Sequence, residues 1–159
     1  MNLNKVMSHG IDGILKTAAQ YYIKNRNGRA FLSHMIPRIQ KSFAIRNKHE
    51  KNGTHIPSFL IASIASQCNL YCSGCYARAN GSCSDSVAMS DLSALKWKSI
   101  FDEAAQLGIP FILLAGGEPF MRQDIIEIAA QNKDIIFPVF TNGTMIDNKN
   151  LSLLDMNRN

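Results

Sequence analysis

Long apolar runs are absent from this sequence, and acidic residues are scarce at one end of it. The longest purely apolar stretch is Phe111–Ala115, far short of the roughly 20 residues a membrane-spanning helix needs. The N-terminus lacks the continuous apolar core of a secretory signal, so a soluble, cytoplasmic protein is the expectation. There are four cysteines, three of them within eight residues (Cys68, Cys72, Cys75). That is a poor disulfide framework and a good metal cradle in a reducing compartment. The four histidines, His9, His34, His49 and His55, have no metal-ligand spacing. Acidic residues are scarce at one end: residues 1–51 carry ten Lys/Arg against only Asp12 and Glu50, whereas the remainder carries seven against ten. No aromatic interleaving or groove-reading motif accompanies this basic leader. It reads as a solvated helical face without a nucleic-acid partner.

With 159 residues and 46% apolar content, the chain has the size of one globular domain. Its pattern divides at about Pro57 into a basic helical leader (1–56) and a second region (57–159). In the leader, Leu3, Met7, Ile11, Ile14, Leu15, Ala18 and Tyr22 fall on one helical stripe that stops near Asn25–Gly28. Phe31, Met35, Ile39 and Phe43 follow, with Pro37 starting or kinking a helix among them. Beyond Pro57 the pattern alternates. Ser58–Ala65, Pro110–Ala115 and Ile135–Phe140 read as strands. A helix capped by Ser90, with Asp91 in its first turn, carries Leu92, Leu95, Ile100, Ala104 and Leu107 and stops at Gly108. A second helix covers about Gln123–Asn132, and Asp147 or Asn148 caps a last one. Apolar strands alternating with amphipathic helices imply an α/β fold with parallel pairing.

Two motifs carry the chemistry. Cys68-x3-Cys72-x2-Cys75 follows the first strand, and short, uneven thiolate spacing is how a chain wraps a metal or an iron–sulfur cluster. Three ligands leave one position open for chemistry, as in catalytic zinc sites. Gly116-Gly117-Glu118-Pro119 follows the second strand, where bare backbone can approach a small polar ligand. Blander readings stand beside both. The cysteines at i, i+4 and i+7 match one helical face, although Asn69, Ser73 and Gly74 favour a loop. Cys83 could complete a four-thiolate structural zinc site. The glycines could be only a tight turn, with Glu118 and Pro119 favouring a helix start, and Thr141-Asn142-Gly143 also reads as a turn. All three motifs fall at the C-terminal ends of strands, the rim where parallel sheets place their sites.

Cys68-Asn-Leu-Tyr-Cys72-Ser-Gly-Cys75-Tyr76 and Gly116-Gly-Glu-Pro119 together resemble the radical S-adenosylmethionine superfamily. The Cys-Asn-Leu start and Thr141-Asn142-Gly143 are most similar to its cofactor-maturation and peptide-modifying branch. The resemblance covers about residues 58–155. It implies a partial (βα) barrel of which this chain supplies about three parallel units, preceded by a helical extension and truncated after the third strand. It implies a [4Fe–4S] cluster held by Cys68, Cys72 and Cys75, and S-adenosylmethionine on the fourth iron, with Gly116, Gly117 and Glu118 cradling the methionine ammonium. It further implies reductive cleavage to a 5′-deoxyadenosyl radical that takes hydrogen from a substrate, a peptide or a small-molecule precursor. The electron donor would be of the ferredoxin or flavodoxin kind. Gly74 stands where the family usually has an aromatic residue, with Tyr76 two positions on. The rival expectation is a non-catalytic remnant that keeps a cluster or a zinc ion using Cys83.

Overall fold

The computed structural model describes residues 20, 24–84 and 91–156. The apolar stripe from Leu3 to Tyr22 lies almost wholly outside them, as does the expected cap Ser90. The chain divides into two compact units, Met1–Pro37 and Arg38–Asn159. Helix α1 (Arg26–Lys51) follows a bend at Asn25 and contains Pro37. Proline there removes one backbone donor and strains the turn before it. Among the described residues no helix is long and apolar enough to cross a membrane.

The second unit is built on strands β1 (Phe59–Ala65) and β2 (Phe111–Gly116), paired in parallel from Phe59↔Phe111 to Ala62↔Leu114 and on to Ser63↔Ala115. A register shift between Ser63 and Ala65 brings Ala65 opposite Gly116. The third expected strand lies on the other side of β2, held by parallel bridges Phe111↔Ile136 and Leu114↔Val139 rather than by a continuous ladder. The reason is Pro138. The Ile136 amide donates to the Pro110 carbonyl (2.9 Å) and the Phe140 amide to Leu114 (2.9 Å). The bond that would fall midway between them, to Ile112, needs an N–H that proline lacks.

One face of this sheet makes the core. Ala62 and Ile64 from β1, Ile112 and Leu114 from β2, and Phe137 from the third stretch are all buried there. Against them pack helices α3 (Ala94–Gln106) and α4 (Gln123–Gln131), through Phe101 and Ala104 on one and Ile125, Ile126 and Ala129 on the other. Phe101 meets Trp97 at 5.6 Å and the edge of Phe137 at 4.8 Å. Such ring pairs add about 0.5–1.5 kcal/mol each beyond their buried area. The cap of α3 is Ser93, whose hydroxyl accepts the Lys96 amide at 3.3 Å. The expected start near Asp91 was therefore one turn too early. Leu92 and Leu95 are exposed, and Trp97, Ile100 and Phe101 take the inward face. The final helix α5 (Asn148–Met156) is capped as expected by Asp147, which accepts the Asn150 amide at 2.7 Å.

Arg122, ahead of α4, ties this side together. Its guanidinium bonds Asp124 (2.8 and 3.0 Å) and the Leu92 carbonyl (3.1 Å), with Asp91 at 3.7 Å. Hydrogen bonding to Arg122 holds the Asp124 carboxyl below the usual carboxylate range. A carboxyl depressed in the folded state stabilises above its unfolded pKa, and that contribution disappears as pH falls through the folded one. We predict that Arg122→Gln lowers the melting temperature at neutral pH and that the gap to wild type narrows from about pH 5 to pH 3. Parallel melting curves across that range would exclude the linkage.

Candidate functional site

The site grows from the C-terminal ends of the parallel strands. β1 leads into the loop carrying Cys68, Cys72 and Cys75, which closes with a one-turn helix α2 (Tyr76–Ala79). β2 leads into Gly116 and Gly117. The two connections are fastened to each other by backbone. The Gly117 amide donates to Ala65 (2.7 Å) and the Glu118 amide to Gln67 (2.8 Å). Gly116 has φ +124°, open to glycine and strained for any other residue. A Cβ on Gly117 would lie 2.0 Å from the Gln67 carbonyl oxygen and 3.1 Å from the Cys68 nitrogen. The cysteine motif and the glycine motif therefore share one rim. What approaches the bare glycines so closely is the cysteine loop's own backbone.

Glu118 is fully buried. Its Oε1 accepts the Phe120 amide (3.0 Å) and the Thr141 hydroxyl (2.7 Å), and its Oε2 accepts the Asn142 amide (2.8 Å). It caps the 3-10 turn Pro119–Arg122 and at the same time seizes the segment after the third stretch. This is the helix-start role open to Glu118 and Pro119 on sequence alone, extended to a second loop. Thr141-Asn142-Gly143 leads into a turn at Thr144–Met145, closed by the Ile146 amide on the Gly143 carbonyl (3.3 Å), so the turn begins later than expected, on the same rim.

That segment reaches the cysteines. The Asn142 side-chain amide donates to Asn69 Oδ1 (2.9 Å) and towards Cys68 Sγ (3.9 Å). Asn69 Nδ2 in turn donates to Thr144 Oγ1 (2.7 Å). On the other side of the loop, Arg78 from α2 donates to the Leu70 carbonyl (3.0 Å) and stacks its guanidinium over Tyr71 at 4.1 Å. The sequence singled out neither Asn69, Thr144 nor Arg78 as working residues. The available signal was a polar residue beside the first cysteine and another after the third strand, on ends that parallel pairing must bring together.

Cys72 is exposed, and Cys68 and Cys75 are half-buried; none of the three is in a disulfide. Among the described residues no three Cys, His, Asp or Glu side chains converge as a preformed metal site. Cys83 is buried, 4% exposed, with its amide on the Ala77 carbonyl, and no four-thiolate grouping forms around it. As donors for an iron–sulfur cluster the three loop thiols fit. They are soft ligands on one loop, an amide N–H is aimed at one of them, and the nearby Glu118 carboxylate is already occupied. Gly74 faces open space, and Tyr76 is exposed.

Three thiols on one loop and a glycine turn thus share the carboxyl rim of a parallel α/β unit. The family model described as the radical SAM superfamily matches residues 63–157, more than half of the chain, and the chain belongs to that superfamily. It is 39% identical over 90 residues to an Fe-coproporphyrin III synthase of Methanosarcina barkeri, a match covering 55% of this chain and 22% of that protein. An AdoMet-dependent heme synthase of the same organism is 35% identical over 95 residues, covering 58% and 26%. A PqqA peptide cyclase of Gluconobacter oxydans is 27% identical over 101 residues, covering 62% and 27%. The match therefore spans about a quarter of the length of these curated relatives. No solved structure matches the chain.

Proposed function

We propose that the loop Cys68–Cys75 holds a [4Fe–4S] cluster through Cys68, Cys72 and Cys75, and that S-adenosylmethionine binds beside it against Gly116 and Gly117. The observation that carries this is the fastening of the cysteine loop to the glycine turn at one end of a parallel sheet. When bound, the pair supplies one-electron reduction of the sulfonium and a 5′-deoxyadenosyl radical for hydrogen abstraction.

The chain's own part is positional. The thiolates supply three ligands, and a bound group draws them together as metal binding couples to local folding. The Gly117 amide is spent on Ala65 at the end of β1 and the Glu118 amide on Gln67 at the start of the cysteine loop, so the methionine ammonium is met by the carbonyl side of this turn. The Gly117 carbonyl accepts no hydrogen bond among the described residues. Glu118 acts from behind, holding the rim's segments in register, instead of touching the ammonium itself. The whole protein would act on a peptide or small-molecule precursor and draw electrons from a ferredoxin- or flavodoxin-like donor.

Anaerobic reconstitution tests the reading. About four irons and four sulfides per chain are expected. Cys68→Ala, Cys72→Ala and Cys75→Ala should each abolish uptake, whereas Cys83→Ala should keep the iron. Stoichiometric zinc, lost with Cys83, would overturn the assignment.

A further inference from the structure

We propose that Asn142 is a positioning residue for the cluster ligand Cys68, orienting its sulfur and donating a hydrogen bond that raises the potential of the bound cluster. The inference rests on the reading of Cys68 as a ligand and goes beyond it, since Asn142 lies on a different connection, 74 residues away.

The amide's orientation follows from its neighbours alone. Asn142 Oδ1 accepts the Thr144 backbone amide at 2.9 Å, and a backbone N–H can only donate. The oxygen must therefore face Thr144, which turns the amino group towards the cysteine loop. One of its protons goes to Asn69 Oδ1 at 2.9 Å. The Asn69 amino group donates to Thr144 Oγ1 at 2.7 Å, and that hydroxyl donates to Asn142 Oδ1 at 2.6 Å. The three side chains close a ring in which each donor has an acceptor and no flip is tolerated. The second amino proton of Asn142 is left free on the side of Cys68 Sγ, which lies 3.9 Å from the amide nitrogen.

The ring is anchored at both ends. The Asn142 backbone amide is held at 2.8 Å by the fully buried Glu118, and Asn69 is the chain neighbour of Cys68. The bonds of the ring are solvent-exposed, where neutral hydrogen bonds add little net stability because water competes for the same groups. Stability alone does not account for so determinate an arrangement, whereas aiming one N–H at one sulfur does. An N–H donor to a ligand sulfur favours the more negative, reduced cluster, and hydrogen bonds to sulfur are among the levers that set cluster potential.

Two measurements decide the matter. In metal-free, 15N-labelled protein, Cys68→Ala should move one of the two Asn142 side-chain amide protons upfield and leave the other in place. Unmoved resonances would overturn the contact, and this arm needs no Asn142 variant to fold. In the reconstituted 159-residue chain, Asn142→Ala should shift the cluster midpoint potential negative at unchanged iron content. Asn142→Asp should shift it further, having lost the donor and gained a charge. Gly143→Ala, which strains the same turn at φ +79° but adds its methyl to open space and leaves all three side chains of the ring, should keep the wild-type potential. An equal shift in Gly143→Ala would assign the effect to a loosened turn and overturn the proposal. Full iron with an unmoved potential in Asn142→Ala would overturn it while leaving the cluster reading intact. Failure of the wild-type chain to take up iron would overturn that reading and this inference with it.

Discussion

Gly117→Ala is expected to unseat the cysteine loop without altering a cysteine. The added methyl would sit 2.0 Å from the Gln67 oxygen, 2.5 Å from its carbonyl carbon and 3.1 Å from the Cys68 nitrogen. All three are backbone atoms, so no side chain can swing aside. Either β2's exit or the entry to the cysteine loop must move, and moving either breaks the Gly117–Ala65 and Glu118–Gln67 bonds. Overpacking a close contact costs about 1–3 kcal/mol when neighbours can adjust; with backbone on the far side we expect the upper end or more. Gly143→Ala is the control. Unlike Gly117, that glycine has a left-handed conformation, at φ +79°, but nothing lies within 4 Å of its Cβ, so it costs about 1–2 kcal/mol of conformation and displaces no loop. Calorimetric melting should fall much further for Gly117→Ala than for Gly143→Ala, and reconstituted iron should fall with it. If Gly117→Ala instead melts like wild type, keeps its iron and loses only S-adenosylmethionine binding, the glycine serves the ligand and the packing argument is wrong.

That contrast shows what could be read from the chain alone. The position of the paired glycines, after a buried strand and opposite the cysteines, was legible because apolar strands alternating with amphipathic helices force parallel pairing. Their reason was not. Local sequence shows that a Cβ is unwelcome, but only the register of β1 against β2 shows that the Gln67 backbone occupies the space. The third strand was legible as an apolar run, yet Pro138 within it leaves bridges where a ladder was expected. The α3 cap slipped for a related reason. Ser90 and Ser93 are equally good caps by type, and the choice falls to Ser93 because Trp97, Ile100 and Phe101 must turn inward together. Side-chain links between distant loops, such as Asn142 to Asn69, leave no periodic trace, so they emerge only once the strand ends are brought side by side.

Glu118→Gln, the mildest possible change at the centre of the rim, is expected to be severely destabilising. The carboxylate faces two backbone donors that cannot reverse, the Phe120 amide at Oε1 and the Asn142 amide at Oε2. A carboxamide has one oxygen. Whichever way it is turned, its NH2 group opposes a backbone N–H, and the side chain is fully buried, so water cannot intervene. Hydrogen bonds to a charged group are worth about 1.5–3 kcal/mol, and stranding a buried donor costs about 1–3 kcal/mol. A loss of about 2–4 kcal/mol follows for an isosteric change. Thr141 adds little discrimination, because its hydroxyl can donate or accept. The two orientations of the carboxamide also differ in what they release. If the NH2 group faces Asn142, the turn that carries the Asn142–Cys68 contact is freed while the 3-10 turn keeps its cap; if it faces Phe120, the reverse holds. Urea unfolding of Glu118→Gln, with Glu118→Asp as a carboxylate too short to span both loops, measures the cost. Amide exchange at Phe120 and Asn142 identifies the abandoned donor, because the stranded N–H exchanges faster than in wild type. A Glu118→Gln protein of wild-type stability with both amides still protected would show that this carboxylate does not hold the rim together.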